Sequence, residues 1–212
     1  MEILADFFKD GGIFMYFILI VSVIGAAIMI ERGFILIYKY NINGRALWDR
    51  VSKFVEKGEV EKARVICNGS TVPILRILNA GLVASNNSEK EIQNAIDEVA
   101  LEIIPSIDKR VAYLATLANI ATLLGLLGTI QGLIQAFSAV ASADPSQKAA
   151  LLAGGISIAL YTTAFGLIVA IPMLIMYTVL QAKTHKIIDE IDEFSVKLIN
   201  ILNRRKGGVQ AK

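Results

Sequence analysis

Three long apolar stretches separated by polar, helix-patterned segments set the plan of this chain. Residues 11–30 are uncharged and bounded by Asp10 and Glu31, and residues 111–143 and 149–182 hold no Asp, Glu, Lys, Arg or His. Twenty apolar residues cross a hydrocarbon core of about 30 Å, and each longer run predicts a helix of about 50 Å. The first span is expected to stay helical to about Tyr40, where 41–44 breaks it. Asn43 then caps a short amphipathic helix over 45–57, ended by Gly58. A second covers 59–67 and closes at Asn68 and Gly69. Pro73 opens a third over 73–85, with Ile74, Leu75, Leu78 and Leu82 on one face. Ser88 and Glu91 form a capping box for a helix whose apolar positions are Ile92, Ile96, Val99, Ile103 and Ile107. That helix is expected to run into the second span, bending at Pro105 near the membrane surface. The third span contains Pro172, read as a kink or local bend. It continues past Lys183 with Ile187, Ile188, Ile191, Phe194, Leu198 and Ile201 as its stripe, and residues 204–212 are expected to be a disordered basic tail.

The pattern predicts an all-α membrane protein with three transmembrane helices, the second and third extending far into the cytoplasm. Four segments follow: tail and first span 1–40, a cytoplasmic helical region 41–110, the second and third spans 111–182, and a cytoplasmic C-terminal helix with its tail 183–212.

Composition agrees: 55% of the 212 residues are hydrophobic and the mean hydropathy is +0.58, values of a membrane protein forming one compact unit. A cleaved signal peptide is the competing reading of the first span. The acidic tail before it (Glu2, Asp6, Asp10 against Lys9) and the lack of an A-x-A site favour an uncleaved span. Arg32 and Lys39 follow the first span, Lys109 and Arg110 precede the second, and Lys183 and Lys186 follow the third. The positive-inside rule therefore places the N-terminus outside and residues 31–110 and the C-terminus in the cytoplasm. Residues 31–110 hold 11 acids against 12 bases, a solvated surface rather than a nucleic-acid patch. Cys67 is the only cysteine, so no disulfide framework exists and a buried thiol is expected. The lone His185 has no ligand cluster around it, and neither a metal nor another cofactor is expected.

Plain anchors do not need glycines and hydroxyls at helical spacing. In the second span Ala118, Ala121, Gly125, Gly128, Gly132, Ala136 and Ala139 recur at steps of three and four. In the third, Gly155, Ala159, Thr162, Gly166 and Ala170 make a matching stripe. Such stripes let helix backbones approach closely, so Gly125, Gly128, Gly132, Gly155, Ala159 and Gly166 are expected to be packing positions. Asn119, Thr122 and Thr129 share a face beside the first stripe, and Thr162 and Thr163 lie at the second. A threonine in hydrocarbon can simply bond back to its own helix. Asn119, Gln131 and Gln135 are harder to hide and are expected to face protein or water. A chain that moves protons through a bilayer needs a titrating group there; the second and third spans supply none, so a partner must.

The segments LATLANIATLLGLLGTIQGLIQAF (114–137) and GISIALYTTAFGLIVAIP (155–172) resemble the paired membrane motifs of the ExbB/TolQ branch of the MotA/TolQ/ExbB proton-channel family. Glu31–Arg32 is similar to that family's Glu-Arg pair after the first span, and PILRILNAGL (73–82) to its cytoplasmic element. The resemblance covers about the whole chain. It implies a homopentameric ring of three-span subunits whose second and third helices line a central pore. That pore would hold a single-span ExbD/TolR-type partner carrying a protonatable aspartate, and the complex would drive a TonB/TolA-type or gliding-type envelope system from the bacterial inner membrane. The carry-over puts Thr129 and Thr163 on the pore-facing threonines, while Thr122, Asn119 and Thr162 are further candidates for the proton path. Two departures stand out: Thr122 replaces a family proline, and Ile158 stands where ExbB and TolQ proper carry a glutamate.

The alternative, a passive membrane scaffold clustering envelope proteins, predicts no dependence on membrane potential. An enzyme is not expected, because the spans contain no nucleophile, base or metal constellation.

Overall fold

The computed structural model describes residues 11–40 and 43–210. Among them there is no strand. The elements are α1 (Phe14–Gly33), a π-helical turn (Phe34–Lys39), α2 (Gly44–Glu56), α3 (Val60–Cys67), α4 (Pro73–Val83), α5 (Glu89–Asp108), α6 (Val111–Ser142) and α7 (Lys148–Gln210). Three stretches are long and apolar enough to cross a membrane: Phe14–Tyr38, Glu89–Ser142 and Lys148–Lys206. In their most apolar windows only 17%, 33% and 33% of residues are buried. So much outward-facing apolar surface is stable in lipid and not in water, and the chain is a multi-pass membrane protein.

The residues group into two compact units, not the single one expected from length and composition. One holds α1 up to Arg32 with Arg110–Val179, and the other holds Gly33–Lys109 with α7 from Leu180 onward. In the first unit α1, α6 and the start of α7 pack around Ile18, Val21, Ala118, Ala121, Val169, Ala170 and Met173. The small stripe of α6 is buried from Ala118 through Gly125, Gly128 and Gly132 to Ala136. A close-packed seam, not a core of large side chains, joins α6 to α7.

The second unit is built like a soluble helical domain. Asn43 Oδ1 accepts from Ala46 N to start α2, Pro73 occupies the first turn of α4, and the Ser88–Glu91 capping box starts α5. Gly58, at φ 87°, follows α2. Large side chains are buried here: Trp48 stacks on Phe194 at 5.2 Å, and Val51, Leu78, Leu82, Ile92, Ile96 and Leu198 are buried as well.

Two expectations are corrected. The helix opened by Ser88 does not continue into the second span, and Pro105 does not set the break: α5 passes through Pro105 and ends at Asp108, and α6 restarts at Val111. The stretch after Arg204 is helical to Gln210. Lys206 Nζ donates to Asn87 O there, which satisfies a turn carbonyl and holds the end of α7 in place. Pro172 lies inside an unbroken α7.

Candidate functional site

The polar residues of the first unit are arranged by the α6–α7 seam. A methyl group built on Gly128 would overlap the Thr162 side chain, and one on Gly155 would overlap Ala136. On Gly132 it would lie 3.0 Å from Ala159 N and Gly155 O, on Gly125 3.3 Å from Thr162 O, and on Gly166 2.8 Å from Ala121 O. These neighbours are mostly backbone. The six packing positions, Ala159 included, therefore meet within one chain, and the glycines are what permits the approach.

That approach decides where the threonines point. Thr163 reaches across the seam and donates to Gly125 O at 3.1 Å. Thr162 is fully buried; its Oγ1 lies 2.8 Å from Ile158 O, one turn back, and 2.8 Å from Gly11 O. Its one proton serves two carbonyls of the same chain, and the side chain does not line the chain's outer surface. Thr129 donates to Leu126 O at 2.6 Å and Thr122 to Ala118 O at 3.1 Å, both back-bonds within α6. Asn119 is exposed on α6. Asn119, Thr122 and Thr129 thus stay on the outward side of α6 beside the buried stripe, whereas Thr162 and Thr163 turn into the seam.

Ile158, where the resemblance leads one to expect a glutamate, is half-buried, and its carbonyl accepts the Thr162 hydroxyl. Among the described residues no three His, Cys, Asp or Glu side chains come together as a metal site.

Three features were not foreseen. Gly25 of α1 meets Met173, whose thioether occupies the space a Cβ would need. The loop residue Gly11 receives Thr162. Most prominent, Arg110 Nη1 donates to both carboxylate oxygens of Glu31, at 2.8 and 2.6 Å. The only sequence signal for that pair is that opposite charges end the first span and begin the second.

Beyond the uncharged runs 11–30, 111–143 and 149–182, burial pushes the Cys67 thiol up to about 11, so it is inert at neutral pH. Glu91 is held below its ordinary value by hydrogen bonds from the Ser88 side chain and backbone. Glu193 is lowered by its hydrogen bond from Lys197.

Comparison with known proteins adds sequence evidence to this geometry. The model of the MotA/TolQ/ExbB proton channel family matches residues 70–193. An ExbB homolog of Methanothermobacter thermautotrophicus, named as a biopolymer transport protein, is 28% identical over 90% of this chain and 66% of its own length. An ExbB-like protein of Synechocystis is 32% identical over 84% of this chain and 70% of its own. The Tol-Pal system protein TolQ of Haemophilus influenzae is 35% identical over 50% of this chain and 46% of its own. This chain therefore spans slightly under two thirds of the first of these relatives and less than half of the third.

Proposed function

Because this chain belongs to the ExbB/TolQ branch of the MotA/TolQ/ExbB proton channel family, we propose that it is the ring subunit of a motor driven by the proton-motive force. In this reading five copies surround a pore in the cytoplasmic membrane, with N-termini outside and C-termini in the cytoplasm. A single-span ExbD/TolR-type partner stands in the pore and brings the protonatable aspartate. Proton passage moves ring and partner relative to each other and transmits work to the envelope, through a TonB/TolA-type or gliding-type protein.

One observation carries the reading. Residues 111–143 and 149–182 contain no ionisable side chain yet present hydroxyls at fixed positions, which suits a pore whose charge comes from elsewhere. Thr163 spends its single proton on Gly125 O, leaving its lone pairs free to accept from a protonated carboxyl. When that carboxyl ionises, the hydroxyl turns and donates to it, stabilising the anion in a low-dielectric site. Thr129 offers the same exchange against Leu126 O. A charge carried across the membrane gains about 2.3 kcal/mol per 100 mV, and an otherwise uncharged, closely packed wall limits leakage.

The scaffold reading draws support from the same bonds, because a hydroxyl satisfied by backbone needs no further role. Valine keeps the shape of threonine and removes the hydroxyl. With expression and assembly matched to the parent, Thr163→Val is expected to cut potential-dependent proton flux about tenfold, the scale of one lost charge-stabilising hydrogen bond. Thr163→Val with parental flux returns Thr163 to packing and favours the scaffold.

A further inference from the structure

Two neighbouring threonines of α7 do different things. Thr163 crosses the seam to Gly125 O, whereas the Thr162 side chain is gripped by α6, by α7 and by the turn before α1. Its methyl fills a notch on α6, because a Cβ built on Gly128 would overlap Thr162 Cγ2. Its hydroxyl lies 2.8 Å from Gly11 O, in the turn, and 2.8 Å from Ile158 O, in its own helix. The turn meets α7 a second time, where a Cβ on Gly12 would lie 3.5 Å from Ile158 Cγ2. Its left-handed residue, at φ 75°, is the glycine Gly12, so the turn carries no strain. All of these residues belong to the first compact unit. The two acceptors are not equivalent. Ile158 O lies inside the unbroken α7, where the Thr162 amide already bonds it, so the hydroxyl is its second partner. Gly11 is buried ahead of α1, and Met15 N, the amide a helix would give its carbonyl, goes to Gly12 O instead. A buried carbonyl needs a donor, and Thr162 supplies it. Serine would bring the hydroxyl without the methyl, and valine the methyl without the hydroxyl.

We propose that Thr162 is a positioning residue for Thr163: it bolts α7 to α6 and to the turn before α1, and so keeps the Thr163 hydroxyl on Gly125 O. The role rests on the proton-path reading of Thr163. A seam of glycines lets backbones approach but is smooth, with no side chain to stop one helix rolling on the other. Thr162 is the knob in that seam. Gly125 and Gly128 are one turn apart on α6 and Thr162 and Thr163 are adjacent on α7, so the grip at Gly128 fixes the roll of α7 where Thr163 meets Gly125.

Amide hydrogen exchange on the full-length protein in lipid nanodiscs reads the bolt at Met15 and Tyr16, whose amides bond Gly12 O and Ile13 O. Thr162→Val keeps the shape and orphans Gly11 O, so both amides should exchange about tenfold faster, the scale of one buried hydrogen bond. Thr162→Ser keeps the hydroxyl and should exchange like the parent. Thr178→Val, which removes only a back-bond to Leu174 O, should also exchange like the parent. Proton flux through the complex with its single-span partner reads the positioning. Thr162→Val should lower it about fivefold, and should add nothing in a Thr163→Val background, because both changes then act through one hydroxyl. A merely structural loss would add to that of Thr163→Val. Parental exchange in Thr162→Val, or equally fast exchange in Thr178→Val, overturns the bolt. Parental flux in Thr162→Val, or a loss that adds to that of Thr163→Val, overturns the positioning. Parental flux in Thr163→Val removes the proton-path reading instead, and exchange then decides the bolt by itself.

Discussion

The two units solve helix packing in opposite ways. In the first, α6 and α7 meet backbone to backbone: the atoms nearest a methyl on Gly166 are Ala121 O and Gly125 Cα, at 2.8 and 3.2 Å. In the second, α4 meets its neighbours through side-chain ends: a methyl on Gly81 faces Leu198 Cδ2 at 2.8 Å and Ile96 Cδ1 at 2.9 Å. Lipid gives no hydrophobic reward for hiding a leucine, so close van der Waals approach holds the first unit together. Water gives that reward, so Trp48, Phe194 and the buried leucines and isoleucines hold the second. Helix starts differ as well. Asn43, Ser88 and Glu91 cap two helices of the second unit, and Pro73 opens a third, whereas α6 has neither device at its start.

A graded glycine series sharpens the comparison. Gly166→Ala must move backbone, and should cost about 1–3 kcal/mol of stability, the range for overpacking. Gly81→Ala displaces only methyl ends that can turn, and should cost under about 1 kcal/mol after the gain in helix propensity. Gly154, with nothing within 4 Å of an added Cβ, should be unharmed or gain up to about 1 kcal/mol as alanine. Denaturation in detergent orders the three. If Gly81→Ala proves costlier than Gly166→Ala, the contrast between the units is wrong.

A smaller effect concerns the second unit alone. With its thiol pushed up to about 11 from 9.0 by burial, Cys67 binds its proton more tightly folded than unfolded. That stabilisation is complete below pH 9 and is lost as pH rises through 11. Alkylation of the native protein at pH 8 should be slow and should accelerate on adding denaturant; equal rates would place the thiol at the surface.

Much of this was legible in the sequence because its causes are local. The uncharged runs give the spans, the steps of three and four from Ala118 to Ala136 give the buried face of α6, and Asn43, Pro73 and the Ser88–Glu91 box give helix starts. What escaped was tertiary. Arg110 adopts a left-handed conformation costing about 1–2 kcal/mol against a half-exposed ion pair offering about 0.2–1 kcal/mol. No window of sequence around residue 110 contains Glu31. The helical end of α7 depends on Lys206 finding Asn87. Arg205 helps by lying over Gly58, its Nη2 2.9 Å from where a Cβ would be. Thr162 looks like Thr163 in the sequence, and only the placement of Gly11 and Gly128 around it separates the buried hydroxyl from the one that crosses the seam. The wide turn at Phe34–Lys39, where Tyr40 N reaches Ile35 O at 3.0 Å, has no signal in the residue pattern that we can identify.

The central claim is that this chain builds an uncharged proton path completed by a partner's carboxylate. Proton uptake into potassium-loaded vesicles under a valinomycin-imposed potential tests it directly. Three preparations are compared: the purified ring, the ring co-purified with its single-span partner, and that complex with the partner's membrane aspartate changed to asparagine. The account predicts potential-dependent uptake by the intact complex and background rates from the other two. Uptake by the ring alone, or undiminished uptake by the asparagine complex, would contradict it.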